Sequence, residues 1–199
     1  MTPRESSRTL PRRQRREVRQ EQLLEVAAQL FAHQGLEGTT TRDIARAAGV
    51  SPGLLYHYYP SKEDLLLAVV GHFDPTSRIR ELLEGHEDGS AVEILPRMMA
   101  GLAALFGERR DLIWLLMRAA ERFPAVAGAL KRMQQEVATL LAGYLQARVE
   151  AGELRPHDSK RLALGMYRTL AMEQLAEPSG PVETAALAET LFFGLVPRG

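Results

Sequence analysis

Hydrogen-bond donors are concentrated in residues 39–62, TTTRDIARAAGVSPGLLYHYYPSK. Hydroxyl, phenol, imidazole, guanidinium and ammonium groups follow one another here within a few turns of chain. All of these groups can donate to oxyanions, and charged donors make the stronger bonds. The sequence contains no G-x-S-x-G, Walker A or G-x-G-x-x-G motif, so the chemistry it indicates is anion binding rather than catalysis.

The amino-acid composition excludes several kinds of functional site. The absence of cysteine excludes disulfides, thiol catalysis, zinc fingers and iron–sulfur clusters. The five histidines, at positions 33, 57, 72, 86 and 157, never occur four residues apart. We therefore expect no metal, no cofactor and no enzymatic activity. No apolar run approaches the roughly 20 residues of a membrane span, and the basic N-terminus lacks the apolar stretch of a secretory signal, so we expect no membrane partner and a cytoplasmic location.

The net charge of zero hides an uneven distribution along the chain. Residues 1–20 carry seven arginines and two glutamates, so the N-terminal end is strongly basic and the rest is mildly acidic. Such asymmetry indicates an anionic polymer or a membrane surface as partner. A terminal charge run alone is usually a solvated tail.

The elements that position the donors are predicted to be helices. Apolar residues recur at helical spacing from about residue 16 to 33, and Gly35 follows as a stop. Thr40 with Asp43 indicates a capping box that opens a helix over 41–48. Ser51 and Pro52 then indicate the start of a helix over 52–58, with Gly49 in the turn between the two. These proportions are those of a helix-turn-helix.

Across residues 20–70 the chain resembles the DNA-binding domain of the TetR family of transcriptional regulators. The resemblance lies in the threonines that open the second helix, the Ala-Gly-Val-Ser turn, the Leu-Tyr-His-Tyr run and the Ser-Lys-Glu-Asp-Leu-Leu start of the fourth helix. It implies an all-α fold: an N-terminal three-helix helix-turn-helix DNA-binding domain and a C-terminal helical ligand-binding and dimerisation domain. We predict a flexible basic arm over residues 1–19, the DNA-binding domain over 20–74 and the second domain over 75–199.

Residue chemistry and the resemblance assign DNA contacts to the same places. A recognition helix presents its N-terminal residues to base edges in the major groove, and basic arms follow the backbone or enter the minor groove. The predicted contacts are Arg12, Arg13, Arg15, Arg16, Thr40, Thr41, Arg42, Ser51, Pro52, Gly53, Leu54, Tyr56, His57, Tyr58 and Lys62.

Several of these residues also have a purely structural interpretation. Tyr58 is as readily explained by packing as by a phosphate contact, and Thr40 caps a helix whatever else it does. Leu54 either touches a thymine methyl or is merely tolerated on the surface. Leu55 and Tyr59 are expected to face the core. Lys62 alone would be a solvated charge; beside a helix-turn-helix it becomes the expected phosphate clamp.

The second half of the chain is rich in methionine and aromatic residues, which tolerate varied ligands. Apolar pockets between helices with a few polar groups are typical ligand sites. Most of these residues are expected to be core. The predicted lining of a pocket for an apolar or acyl-chain effector is Trp114, Met117, Arg118, Met133 and Tyr144, with Arg118 as the polar or anion-binding partner.

Two apolar stripes near the C-terminus predict a homodimer. In the TetR family two such helices from each chain form a four-helix bundle, and a two-fold interface places two recognition helices on a palindromic operator. The alternative is that the stripes pack only within the chain. The predicted interface residues are Leu162, Met166, Leu170, Leu187, Leu191 and Phe192.

Together these features predict a dimeric repressor that binds double-stranded DNA and is released by a small-molecule effector. Two other functions stay open from the sequence. The first is an activator or a regulator without a ligand. The second is a small-molecule binding protein or helical enzyme with a vestigial DNA-binding head, against which the arginine-rich arm and the intact Tyr56–Tyr58 run argue.

Overall fold

The computed structural model describes residues 11–84 and 90–176, which form nine helices and no strand. The predicted all-α class is confirmed. The helices are α1 (Arg12–Gly38), α2 (Thr41–Ala47), α3 (Pro52–Tyr58), α4 (Lys62–His72), α5 (Thr76–Leu83), α6 (Ala91–Glu108), α7 (Arg110–Arg122), α8 (Pro124–Glu150) and α9 (Ser159–Ala176). No helix among these residues is long and apolar enough to cross a membrane.

The chain divides into two compact units. Among the described residues, the first combines those up to Phe73 with Trp114–Ala129, and the second combines those of Asp74–Ile113 with those from Leu130 to Ala176. The second predicted domain, residues 75–199, is therefore not one contiguous unit, because Trp114–Ala129 packs with the DNA-binding helices instead.

The first unit has an aliphatic core built from helices α1 to α4. Leu55 of α3 is fully buried and Tyr59 is 8% exposed, so both face inward as predicted. Burying one leucine side chain stabilises the fold by about 2 kcal/mol, so this core holds the two short helices in place. Other fully buried members are Leu23, Ala27, Phe31, Ile44, Ala45, Leu65, Leu66 and Val69.

Helix α1 begins earlier than predicted. Residues 12–19 are helical rather than a flexible arm. The stretch is rich in Arg, Gln and Glu, which favour helix, and Arg13 pairs with Glu17 one turn later at 2.9 Å. Near the other end Gly35 is non-helical with φ of 72°, so the long helical run of α1 ends there as predicted and a kinked last turn continues to Gly38.

Gly49 shapes the turn between α2 and α3. Its φ of 65° is the left-handed conformation that glycine adopts without strain. The Gly49 N–H donates to the Arg46 carbonyl (3.1 Å), and the Val50 N–H donates to the Ala45 carbonyl (2.9 Å). This pair of bonds is a Schellman motif, which satisfies the last carbonyls of α2 and sets the direction in which α3 starts.

The predicted caps of the two recognition elements are confirmed. Thr40 and Asp43 form a complete capping box at α2, and the Ser51 hydroxyl accepts from the Leu54 N–H at 3.2 Å. Hydrogen bonds donated by Thr40, mainly from its hydroxyl, hold the pKa of Asp43 below its usual value. The box is therefore intact at neutral pH and is lost as pH falls through the pKa of this carboxyl.

Alanine substitutions at two glycines of this motif are expected to have opposite effects. A Cβ at Gly49 or at Gly53 meets nothing within 4 Å, so only the backbone conformation separates them. Gly49→Ala places a side chain at φ of 65° and should lower the free energy of unfolding by about 1 kcal/mol. Gly53→Ala lies in a helix and should raise it by about 0.5 kcal/mol. Urea denaturation at one protein concentration measures both, and equal shifts would contradict the assignment.

The second unit is held by an aliphatic and aromatic cluster from α5, α6, α8 and α9. Phe106 and Tyr167 stack edge to face with centroids 5.1 Å apart. Burial raises the pKa of Tyr167 to about 12, so its phenol is neutral at any physiological pH. The sequence analysis did not predict helix α5. Its eight residues lie between Pro75 and the polar residues that follow Gly85, so they are too few to give a clear helical pattern.

Two predicted interface residues belong to this core. Met166 is 1% exposed and Leu170 is fully buried, so neither can meet a partner chain. Leu162 is half-buried and also packs against the core cluster. The apolar stripe on α9 faces inward, because a periodic pattern shows that a face is buried but not what covers it. Leu187, Leu191 and Phe192 lie outside the described residues.

Candidate nucleic-acid interface

The first turns of α3 present a small, polar surface. Ser51, Pro52 and Gly53 are all exposed, so the N-terminal end of α3 has no bulky side chain in front of it. Tyr56 is 48% exposed, although a large aromatic side chain would ordinarily be buried. Leu54 is half-buried rather than fully outward. This surface has the size and the donors to enter a major groove about 12 Å wide.

Two hydroxyl groups join α2 to α3 across this surface. The Thr41 Oγ1 and the Tyr56 Oη lie 2.8 Å apart and share a hydrogen bond. Tyr56 is thereby held at the opening of α2, where free backbone N–H groups favour a phosphate. This hydrogen bond therefore fixes the phenol of Tyr56 against the first residue of α2.

The basic start of α1 lies next to the end of α3. The Arg16 guanidinium stacks over the Tyr58 ring, with its central carbon 5.3 Å from the ring centroid. This cation–π contact gives Tyr58 a packing role and fixes Arg16 beside the recognition helix. Arg13, Arg15 and Arg16 are exposed, so the helical segment adds a row of cations to the same unit.

Lys62, the predicted phosphate clamp, is engaged within the protein. Its ammonium donates to the Leu36 carbonyl at the end of α1, and it lies 6.0 Å from the centre of the Phe31 ring. Burial lowers the pKa of Lys62, and Glu37 partly opposes that effect. An ammonium has three donors, so a phosphate contact stays a prediction while the contact with α1 is its structural role.

Sequence reasoning missed two residues of this region. Arg46 is exposed one turn after Arg42 on α2 and lies 3.6 Å from the carboxylate of Asp43. The spacing of four residues could have placed both guanidiniums on one helix face. Thr39 is fully buried, and its hydroxyl donates to the Gly35 carbonyl at 2.8 Å. It holds the α1–α2 connection, and no local sequence pattern indicates this.

The predicted effector residues do not form one cluster within either unit. Trp114, Met117 and Arg118 belong to the first unit, where Trp114 is 38% and Met117 is 41% exposed. Met133 and Tyr144 belong to the second unit, where both are half-buried. The five predicted residues are therefore divided between the two units.

Comparison with known proteins agrees with the geometry. Residues 23–69 match the family model for bacterial regulatory proteins of the tetR family, and residues 98–178 match the C-terminal domain of AefR-like transcriptional repressors. The chain is 31% identical over 184 residues to the HTH-type transcriptional repressor KstR2 of Rhodococcus jostii, covering 86% of each. The chain belongs to the TetR family. It is therefore a DNA-binding transcriptional regulator.

Other TetR-type proteins extend the match along most of the chain. The HTH-type transcriptional regulator UidR of Escherichia coli is 27% identical over 160 residues, which is 78% of this chain and 79% of that protein. The solved structure of Salmonella enterica GusR superposes with a TM-score of 0.76 at 25% identity, covering 89% of this chain and 95% of that one. The likeness to TetR regulators thus includes the second unit as well as the helix-turn-helix.

Proposed function

We propose that this TetR-family protein is a homodimeric repressor that binds a palindromic operator in the cytoplasm and is released by a small-molecule effector. The observation that supports this most is the exposed end of α3, where Ser51, Pro52 and Gly53 leave room for a duplex. KstR2, at 31% identity, is named a repressor. Two recognition helices on one palindromic site need a two-fold dimer, with half-sites about 34 Å apart.

Selection of bound fragments from the organism's own genome tests the DNA-binding part of this proposal. We expect the purified protein to enrich a small set of fragments that share one inverted repeat. Reporter expression in a deletion strain then separates repression from activation, because loss of a repressor raises transcription from the selected promoter. Failure to enrich any fragment at low salt would favour a small-molecule carrier with a vestigial DNA-binding head.

The exposed face of α9 is the dimer interface that we propose. Gly165, Thr169 and Met172 lie along this face, and Met172 is 54% exposed. A small residue lets two helices approach closely, and an exposed methionine one or two turns away adds apolar surface. This face takes the place of Met166 and Leu170, which are core residues.

Gly165→Glu is expected to convert the dimer into a monomer. A Cβ at Gly165 meets nothing within 4 Å, so the chain can accept the substitution, but the two-fold axis would bring like charges together. Gly143→Glu, also exposed with open space around the Cβ, is the matched control on α8. Analytical ultracentrifugation should show half the mass for the first variant only. A wild-type monomer at micromolar concentration would refute the dimer itself.

We propose that effector binding changes operator affinity through side-chain contacts at the end of α1. Arg122, in the last turn of α7, pairs with Glu37, and Lys62 at the start of α4 holds the neighbouring Leu36 carbonyl. An effector that binds two states of the dimer with different affinity shifts their populations and hence the spacing of the recognition helices. Unchanged operator affinity across a compound library that includes demonstrated binders would contradict this coupling.

A further inference from the structure

A groove lined by two arginines lies within the second unit. An open groove of about 390 Å³ runs between α5 and α8. Its volume falls within the usual range of small-molecule sites, which is roughly 300–1,000 Å³. The residues that carry the argument are Thr76 and Arg80 on α5, and Arg132, Gln135, Thr139 and Leu140 on α8.

The groove is basic in a chain of zero net charge. Arg80 and Arg132 face it from two different helices, and among the described residues neither side chain has an ion-pair partner. Other arginines of this unit do have one: Arg78 pairs with Glu81 at 3.0 Å, and Arg148 pairs with Glu153 at 3.0 Å. Glu136 also lines the groove, so the two guanidiniums leave it with a net positive charge. Guanidinium groups bind carboxylates and phosphates through paired N–H bonds.

The remaining lining residues determine which chemical groups a ligand can carry besides its anion. The Thr139 hydroxyl already donates to the Gln135 carbonyl at 2.8 Å, and the Thr76 hydroxyl donates to Asp74, so both hydroxyls offer only acceptor capacity. Leu140 supplies an apolar wall, and it packs against the core cluster of the unit. The groove therefore combines a cationic end with an apolar surface.

We propose that this groove binds the effector, and that the effector is a small amphipathic organic anion. Its carboxylate or phosphate lies between Arg80 and Arg132, and its apolar chain runs along Leu140. The inference rests on the proposed function, because it names the chemical class of the effector. It also replaces Arg118 as the anion-binding residue, since Arg118 belongs to the first unit.

Calorimetric titration of the full-length protein with octanoate, octyl phosphate and octanol tests the proposal. At least one of the two anions should bind, and octanol should bind about tenfold more weakly or not at all, because a hydrogen bond to a charged group contributes about that factor. The difference between octanoate and octyl phosphate identifies the anion. Equal binding of octanol, or no binding of either anion at millimolar concentration, would overturn the proposal.

Variants locate the site. Arg80→Gln and Arg132→Gln should each weaken anion binding by about tenfold to a hundredfold, whereas Arg97→Gln, another exposed arginine of the same unit, should leave it unchanged. Equal weakening by Arg97→Gln would place the anion elsewhere. Operator binding by ligand-free variants, measured separately, should match the wild type. A protein that binds its operator but no anion would refute this groove and leave the DNA-binding function standing.

Discussion

Gly53→Glu should abolish specific operator binding while leaving the fold intact. Gly53 lies in the first turn of α3, is exposed, and has open space where a Cβ would stand. A glutamate there places a carboxylate against the base edges or phosphates that the turn approaches. The cost is about 2 kcal/mol at each half-site, so a dimer should lose about 4 kcal/mol, which is about a thousandfold in affinity.

Thermal unfolding of the same variant separates a binding defect from a folding defect. The first turn of α3 contains no acidic residue, and a carboxylate at a helix N-terminus is favourable, so the melting temperature should be unchanged or slightly higher. Gly143→Glu makes the same change in charge on α8 and should keep wild-type affinity. Retention of operator affinity by Gly53→Glu would exclude α3 as the recognition helix.

Replacing Arg12, Arg13, Arg15 and Arg16 by glutamine should weaken binding to every DNA sequence by about a hundredfold at low salt, because phosphate contacts supply affinity but no sequence information. Removal of each phosphate-binding cation should flatten the slope of log affinity against log salt by about 0.9. The specificity ratio between operator and random DNA should change little. Fluorescence anisotropy at several salt concentrations measures both the slope and the ratio.

An equal change of charge in the second unit is the control for that experiment. Arg78, Arg97, Arg109 and Arg155 are all exposed there, and their replacement by glutamine gives the same net charge. This control should retain most of the affinity, because the contribution of the arm is local. If both quadruple variants lose affinity equally, the arm has no special role and only total charge matters. If replacing Arg12, Arg13, Arg15 and Arg16 leaves DNA affinity unchanged, residues 12–16 only begin helix α1 and do not bind DNA.

The helix-turn-helix could be predicted almost residue by residue because its signals are local. Thr40 with Asp43, Ser51 with Pro52, and Gly49 each fix a helix end through hydrogen bonds or backbone conformation within a few residues. Such signals act on neighbouring residues along the chain, so the sequence contains them in full.

Features that depend on distant partners could not be predicted. Lys62 bonds to the Leu36 carbonyl 26 residues away, and Arg122 pairs with Glu37 across 85 residues. The periodicity of α9 correctly indicated a buried face, but the face is covered by the chain's own core, including Met166 and Leu170. The helical start of α1 was hidden because a run of arginines without apolar residues gives no periodic pattern.

Zero net charge is a poor guide to the partner of this protein. Arg16 of α1 stacks over Tyr58, Arg13 and Arg15 are exposed on the same helix, and Arg42 and Arg46 are exposed on α2. The DNA-binding unit therefore exposes arginines on both of these helices. The acidic remainder of the chain disfavours indiscriminate contact with DNA. DNA affinity should therefore depend strongly on salt concentration and on which arginines are replaced, and the two quadruple variants test this.

Titration of the wild-type protein with its selected operator, in parallel with a scrambled duplex of equal length, tests most directly whether the protein is a dimeric, sequence-specific regulator. We expect saturation at two chains per duplex and an operator affinity about a thousandfold or more above that for the scrambled duplex at physiological salt. Equal affinity for the two duplexes, at any salt concentration where binding is measurable, would contradict sequence-specific regulation by this protein.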